Sequence, residues 1–459
     1  MKILLGVHYY LPRHQAGTEL YTRALARQFK EQGHSVWIFT SEDQAGPDFK
    51  ILRDAHEGIP VFRICYSRVP DFKASYQRPE FDRLFGQLLD ETKPEIVHFQ
   101  HLFRLSTGLV SEAKKRNIPA LLTLADYWLL CPAIIMLKPE DALCPGPDEG
   151  HACANCPHAF SVFGRDQAGS FLWRSLEIGL GYGHQLKRQL PPSLVDSLRA
   201  VLGRKNDFAQ KRELINQRQL QMKKMVDELS LLISPSRFLL EMMVRNRVAP
   251  REKIIFSDYG FEDGGFSRRT QAAAGKKQPL TFGFIGTLVR HKGLKVLLQA
   301  VRSMPAENFS LKIFGETREF PGYVRELKKL AGRDPRIQWR GRIDHDRVAQ
   351  AHAQIDVLVV PSLWYENSPL TIHEAFLSGI PVLASELGGM KELVQEGGGR
   401  LFAPGSSTEL AARMKELISN PARIEELRKT IPPIKTIEDN CRELIILYQM
   451  LLKNSRSDF

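Results

Sequence analysis

The chain reads as an α/β protein of two doubly wound domains, each a parallel sheet with helices on both faces. Three observations lead there. A strand–helix–strand unit opens the chain, the same order recurs between Ile96 and Leu124, and a second series starts at Leu280. At 459 residues the chain also exceeds what one hydrophobic core organises, so two or three domains are expected.

Lys2–Val7 is an apolar strand, residues 18–32 a helix and residues 35–40 a second strand. Within that helix Leu20, Tyr21, Ala24, Leu25 and Phe29 share one face, and Gly33 stops it. Ile96–Phe99, residues 107–116 and residues 120–124 repeat the unit. Residues 131–225 fit neither series and read as an insertion, irregular at first and then basic. Residues 263–279 are small and polar, as a linker would be. The second series has strands at Leu280–Ile285, 310–314, 337–339, 357–360 and 381–384, with helices at 292–301, 323–331, 344–353 and 371–378. The expected division is 1–262 for the first domain, 280–435 for the second, and a C-terminal helix within 436–459.

A net charge of +12 favours anionic partners such as nucleotides, phospholipids or lipid pyrophosphates. No recognition motif accompanies that charge, so nucleic acid is not an expected partner. The opening strand is too short for a signal-peptide core, and the longest apolar stretch, 120–137, is interrupted by Asp126 and Pro132. A cytoplasmic location follows, with the six cysteines reduced or metal-bound.

The most informative segment is Pro361-Ser-Leu-Trp-Tyr-Glu-Asn-Ser-Pro-Leu-Thr-Ile-His-Glu374, where seven residues separate Glu366 from Glu374. It begins as a strand and ends as a helix, so the two carboxylates flank a strand-to-helix turn, where open α/β sheets bind ligands. A second segment, Phe284-Ile-Gly-Thr-Leu-Val-Arg-His-Lys-Gly293, places cations between a glycine turn and a helix.

These segments resemble the E-x7-E and G-R-x4-K-G motifs of the retaining family-four glycosyltransferases (glycosyl transferases group 1), which have the GT-B architecture of two facing Rossmann-like domains. The resemblance implies transfer of a sugar from a nucleotide-diphosphate donor. Charge then builds on the leaving pyrophosphate and must be stabilised by cations and backbone N–H groups. Gly286, Lys292 and Gly293 match; Thr287 stands at the family's arginine position, and Arg290 offers a cation three residues later. By the same resemblance Glu374 binds the donor ribose and Glu366 faces the transferred sugar. The backbone of Asn367, Ser368, Pro369 and Leu370 approaches phosphate. Gly388-Gly389 followed by Glu392 matches the family's next loop. Asp344-His-Asp346 has a D-x-D form but precedes a helix, so Asp344 is read as an N-cap and no catalytic metal is expected.

In the first domain, His14-Gln-Ala-Gly-Thr-Glu19 resembles the family's G-G-x-E loop, with Gly17 bringing its N–H to the leaving phosphate. Thr123-Leu-Ala-Asp-Tyr-Trp-Leu-Leu-Cys-Pro132 resembles T-L-H-D-Y-W-x-x-C-P, with Ala125 where the family has a histidine that contacts the donor sugar. The expectation is a donor that differs around its sixth carbon. Asp126 serves as a catalytic polar group or a structural cap. His98 and His101 leave a strand end, and His101 is taken as an acceptor-side residue. The catalytic set is then Glu366, Lys292, Arg290 and Asp126.

Cys131, Cys144, Cys153 and Cys156 lie within 26 residues, and the last two form a C-x2-C pair. They could build a structural zinc site or be incidental core thiols, as Cys65 and Cys441 are expected to be. Residues 187–224 hold ten Lys or Arg against three acids, downstream of aromatics at 160–163 and 171–173. Such a segment suits an anionic membrane surface or forms a solvated helical hairpin. The function expected is glycosyl transfer to a glycan or lipid-linked acceptor, at the inner face of the membrane. The alternatives are a sugar-nucleotide binding protein without turnover and a nucleotide-sugar epimerase.

Overall fold

The computed structural model describes residues 1–43, 46–160, 205–266, 279–305 and 307–457. It divides into two compact units: residues 1–234, 240–257 and 441–459 form unit 1, and residues 235–239 and 258–440 form unit 2. The linker residues 267–278 and the insertion residues 161–204, with their aromatics and much of their basic charge, lie outside the described residues.

Unit 1 holds strands β1 (Lys2–Val7), β2 (Ser35–Asp43), β3 (Ile51–His56), β4 (Ile59–Tyr66), β5 (Ile96–Phe99), β6 (Ala120–Thr123), β7 (Leu231–Ser234) and β8 (Ile254–Phe256). They form one sheet in the order β3-β4-β2-β1-β5-β6-β7-β8. All pairings are parallel except β3 with β4. That edge hairpin escaped the sequence reading. Its turn is Glu57-Gly58 with φ of 51° and 70°, the two left-handed residues that a tight hairpin needs, but the sequence lacks the usual Asn or Asp. Helix α1 (Gly17–Glu31) follows β1 and buries Tyr21, Leu25 and Phe29. Also in this unit are α2 (Pro79–Thr92), α3 (Gly108–Lys115), α4 (His151–Ala154) and the long α5 (Lys205–Glu228).

Unit 2 holds β9 (Leu280–Ile285), β10 (Phe309–Phe314), β11 (Ile337–Gly341), β12 (Val357–Val360), β13 (Val382–Ser385) and β14 (Gly399–Phe402). The sheet is wholly parallel and ordered β11-β10-β9-β12-β13-β14. Numbered within the unit this is 3-2-1-4-5-6, the doubly wound order whose direction reverses between the first and fourth strands. Phe282, Leu311, Val357 and Leu383 are fully or almost fully buried in its core. The first crossover pairs a 3-10 turn at Arg290–Lys292 with α7 (Leu294–Arg302), α6 being Arg237–Arg245. Then come α8 (Pro321–Ala331), α9 (Val348–His352), α10 (Leu370–Leu377), α11 (Gly388–Gln395), α12 (Ser407–Ser419) and α13 (Ala422–Lys429). Of α14 (Ile437–Ser457), the part from Cys441 onward belongs to unit 1, where Tyr448 is buried against His98.

Candidate functional site

In unit 2 the reversal point lies between β9 and β12, which pair through Val357↔Phe282 and Leu358↔Gly283. The two segments singled out in the sequence are the loops leaving these neighbouring strands, so topology alone brings them together. Lys292 Nζ donates to Glu366 Oε1 at 2.7 Å, and the Ser362 hydroxyl donates to the same oxygen at 2.8 Å. Glu366 is 5% exposed. Burial alone would push its carboxyl up, yet the Lys292 ammonium and the Ser362 hydroxyl hold it below the ordinary carboxylate range. The Lys292 side chain is half-buried and lies 5.3 Å from the Trp364 ring centroid.

Two glycines make this approach possible. Gly293 has φ of 71°, and a Cβ there would stand 1.7 Å from the Pro361 carbonyl oxygen. Leu363 N–H donates to the His291 carbonyl at 2.7 Å, tying the loops at the same level. Gly389 is the second: its N–H donates to the Glu366 carbonyl at 2.8 Å, and a Cβ would fall 1.4 Å from the Asn367 oxygen. The diglycine that carried little weight in sequence is thus what seats the α11 loop on Glu366.

Asn367 and Ser368 turn their side chains to the scaffold. Asn367 Oδ1 accepts from the Ser236 hydroxyl at 2.6 Å, and the Ser368 hydroxyl donates to Asp258 at 2.7 Å, with His373 Nε2 2.8 Å away. Pro369 and Leu370 begin α10, whose N-cap makes no side-chain hydrogen bond. Glu374 is the fifth residue of that helix, not in its first turn, so helix-dipole compensation does not account for it. It is 5% exposed, with His352 Nε2 at 3.6 Å and His345 Nδ1 at 3.9 Å. Gly286 and Thr287 leave β9; Thr287 is exposed. Arg290 does not join the Lys292–Glu366 pair: it donates to Glu326 at 3.0 Å and covers the Tyr323 ring. Asp344 occupies an N-cap position but makes no capping hydrogen bond, and Arg342 lies 3.6 Å from it.

In unit 1 the reversal point lies between β1 and β5. His8 leaves β1 and His101 follows β5, and their rings lie 4.8 Å apart. Each faces a carboxylate. His8 Nε2 is 3.4 Å from Glu19, near the start of α1, and His101 Nε2 is 2.8 Å from Asp126, beyond β6. Phe103 N–H donates to His101 Nδ1 at 2.9 Å, so the His101 proton is on Nε2 and is given to Asp126. Asp126 also accepts from Trp128 N–H at 2.7 Å, so its carboxylate is held by the turn that follows it as well as by His101. Both ring nitrogens of His101 are therefore engaged in hydrogen bonds. His8, which the sequence reading passed over, keeps a buried Nδ1 without a hydrogen-bond partner. Burial, then the neighbouring His101, Arg104 and His14, hold its ring neutral. Its signal was positional: a histidine directly after the first strand.

Gly17 is the first residue of α1, behind an N-cap Ala16 without a side-chain hydrogen bond. Ala125 is half-buried beside Asp126. His98 is structural: it is fully buried between the Tyr448 hydroxyl at 2.6 Å and the Thr123 hydroxyl at 2.8 Å. Cys65 and Cys441 are fully buried core thiols. Among the described residues, His14, Glu42 and Asp43 are the group whose donor atoms lie within 4.8 Å of one another. Glu42 is already met by Arg13 at 3.4 Å and Arg63 at 3.6 Å, so this is a neutralised ion-pair network. Of the four cysteines read as a possible metal site, Cys153 is buried and Cys131, Cys144 and Cys156 are partly exposed, and no three of their sulfurs lie within that spacing.

Residues 279–420 match the family model described as glycosyl transferases group 1, and residues 16–133 match that of glycosyltransferase family 4. A putative colanic acid biosynthesis glycosyltransferase, WcaL of Salmonella typhimurium, is 30% identical over 178 residues, 36% of this chain and 42% of that protein. The matched stretches span about two fifths of the curated relatives. Sucrose-phosphate synthase of Thermosynechococcus elongatus superposes over 99% of this chain and 100% of its own, with a TM-score of 0.64 at 16% identity. HepE of Anabaena in complex with UDP covers both chains fully, with a TM-score of 0.58 at 15% identity. No helix among the described residues is long and apolar enough to cross a membrane. The fold is GT-B, with a stretch of unit 1 similar to the family 4 glycosyltransferases and a stretch of unit 2 similar to the group 1 glycosyl transferases.

Proposed function

We propose that the protein is a retaining glycosyltransferase. It moves a sugar from a nucleotide-diphosphate-sugar donor, held on unit 2, to a glycan or lipid-linked acceptor, held on unit 1. The carrying observation is the Lys292–Glu366 pair at 2.7 Å on the reversal point of the unit 2 sheet. An ammonium has three protons to give, so Lys292 bonds Glu366 and still meets the charge that develops on the leaving phosphate. The backbone N–H groups opening α10 add to it. Glu374 takes the ribose hydroxyls, and Glu366 orients the transferred sugar. The attack comes from the face the phosphate leaves, which keeps the anomeric configuration. With these groups supplying positive charge, transfer needs no metal ion.

Support for a surface-polysaccharide or glycoconjugate role comes from the name of the Salmonella relative, and support for a nucleotide donor from the UDP complex of the Anabaena protein. The net charge of +12 would draw the chain to the anionic inner face of the membrane, where lipid-linked acceptors are found.

The test is donor binding and slow hydrolysis across UDP-, GDP- and ADP-sugars, wild type against Glu374→Ala, in buffer without divalent cations. Tight binding and sugar release from one donor, both lost in the variant, support transfer and name the donor. Ala125 and Thr287 favour a second reading, a sugar-nucleotide binding protein; binding without release in the presence of acceptors supports that one. Recovery of an epimerised nucleotide sugar would overturn both.

A further inference from the structure

Lys292 meets Glu366 only while the peptide that carries Glu366 is held, and that hold comes from residues outside both donor loops. On one side the Glu366 carbonyl accepts from Gly389 N–H at 2.8 Å. Gly389 is the second residue of α11, and Glu392 follows three positions later, on the same face of that helix. The half-buried Glu392 carboxylate takes two backbone N–H groups, that of Arg237 at 2.9 Å on one oxygen and that of Phe238 on the other. The next N–H, of Leu239, donates to the Ser236 hydroxyl oxygen at 3.1 Å. Ser236 in turn donates its proton to Asn367 Oδ1 at 2.6 Å, and Asn367 is the neighbour of Glu366 in the chain.

These contacts close a ring within unit 2, from Glu366 through Gly389, Glu392, residues 236–239 and Asn367 back to Glu366. The Phe238 ring lies 4.9 Å from that of Tyr365, the residue before Glu366. Each link has a physical reason to persist. The N–H groups of Arg237, Phe238 and Leu239 open α6 and have no partner inside the helix, and a carboxylate is favoured at a helix start. Ser236 and Asn367 are 2% and 7% exposed, so removing either leaves a buried polar group bare. Because Leu239 N–H already serves the Ser236 oxygen, the hydroxyl proton points to Asn367 and fixes which end of that amide faces it.

We propose that Ser236 and Glu392 are positioning residues of the donor site. They act through Asn367 and Gly389, which set where the Glu366 carboxylate and the N–H groups opening α10 stand relative to Lys292. The proposal rests on the reading of unit 2 as the donor side of a glycosyl transfer. A displacement of about 1 Å near reacting groups can cost roughly 100-fold in rate, so these scaffold contacts carry kinetic weight.

The test is amide hydrogen exchange of the full chain, read by mass spectrometry, on wild type, Ser236→Ala and Glu392→Gln, together with the rate of sugar release from the donor. Both variants should speed exchange across residues 362–370 as well as 236–239, although the bonds of Glu392 go to Arg237 and Phe238. The kcat for sugar release should fall roughly 10- to 100-fold, with a smaller change in nucleotide affinity. In a Lys292→Ala background, Ser236→Ala should cost much less, because it acts through the same pair. Exchange that quickens only at 236–239 in Glu392→Gln overturns the proposal. So do wild-type exchange and kcat in Ser236→Ala, a loss confined to nucleotide affinity, or losses that multiply in full with Lys292→Ala. Should Ser236→Ala fail to fold, Glu392→Gln supplies both readouts. A wild type that binds no nucleotide sugar removes the donor-side reading instead, and the exchange data still decide whether the ring holds the Glu366 loop.

Discussion

Lys292 Nζ lies 2.7 Å from Glu366 Oε1 because the two residues follow paired strands, β9 and β12, at the point where the unit 2 sheet reverses its winding. Neither loop needs to travel. The pair keeps a cation at the carboxyl ends of the strands, with its partner 5% exposed and ionised. The same geometry puts His8 beside His101 in unit 1, where β1 and β5 meet. Each sheet thus concentrates its polar residues where parallel winding leaves a crevice.

Lys292→Ala should lower kcat by about 100- to 1,000-fold with a smaller effect on KM, the scale expected when one donor to a developing oxyanion is lost. Glu366→Gln keeps the shape but releases Lys292, and the double variant should lose less than the product of the single losses. Steady-state kinetics on the four members of the cycle check this. Strict multiplicativity would separate the two roles.

Glu374→Ala should weaken nucleotide-sugar binding by about 10- to 100-fold, which is 1.5–3 kcal/mol for hydrogen bonds to a charged group. Calorimetry with UDP, GDP and ADP reads it directly. A nucleotide lacking both ribose hydroxyls should bind wild type and variant alike. An unchanged affinity for the intact nucleotide removes Glu374 from the ribose.

Ala125→His restores a side chain that the resembled family places against the donor sugar. The expected result is a shift in donor preference toward common hexoses oxygenated at the sixth carbon, read as a ratio of kcat/KM values for two donors. Equal ratios in wild type and variant would show that this position does not select the donor.

His98 gives a pH signature of folding. Burial lowers its pKa from 6.5 to about 3, so the folded chain refuses a proton that the unfolded chain accepts. Its contribution is therefore complete above pH 6.5 and falls as pH drops toward 3. His98→Gln should cost about 1–3 kcal/mol at pH 7.5 through its two lost hydrogen bonds. Below pH 6.5 the gap to wild type should narrow by roughly 1 kcal/mol per pH unit. Denaturant melts of both proteins at pH 7.5 and pH 5 test the sign; a gap that widens on acidification contradicts it.

Gly293→Ala should be more harmful than its size suggests. The backbone is left-handed there, and a Cβ would stand 1.7 Å from the Pro361 oxygen, so the β9 and β12 loops must part. We expect lost donor binding together with destabilisation of about 1–3 kcal/mol or more. Thermal melts and nucleotide titration of the variant provide the check.

By itself the sequence determined the alternation of strands and helices, the two doubly wound units, and the two segments that carry Lys292 and Glu366. These are properties of local pattern: periodic apolar residues, glycine stops and the fixed spacing of Glu366 from Glu374 are carried by contiguous chain. What only the tertiary structure decided was which distant side chains meet. Arg290 was a candidate cation by adjacency, but α8 presents Glu326 to it. Asn367 and Ser368 were chosen for their backbone and prove to brace the turn through their side chains. His101 was read as an acceptor-side group, and the Phe103 N–H commits its second nitrogen. His8 was missed because it meets His101, a partner far away in sequence that the β1–β5 pairing brings near. Linear spacing reports on neighbours along one element, whereas a hydrogen bond or a buried charge depends on an approach of a few ångströms between elements, which sheet order and core packing set.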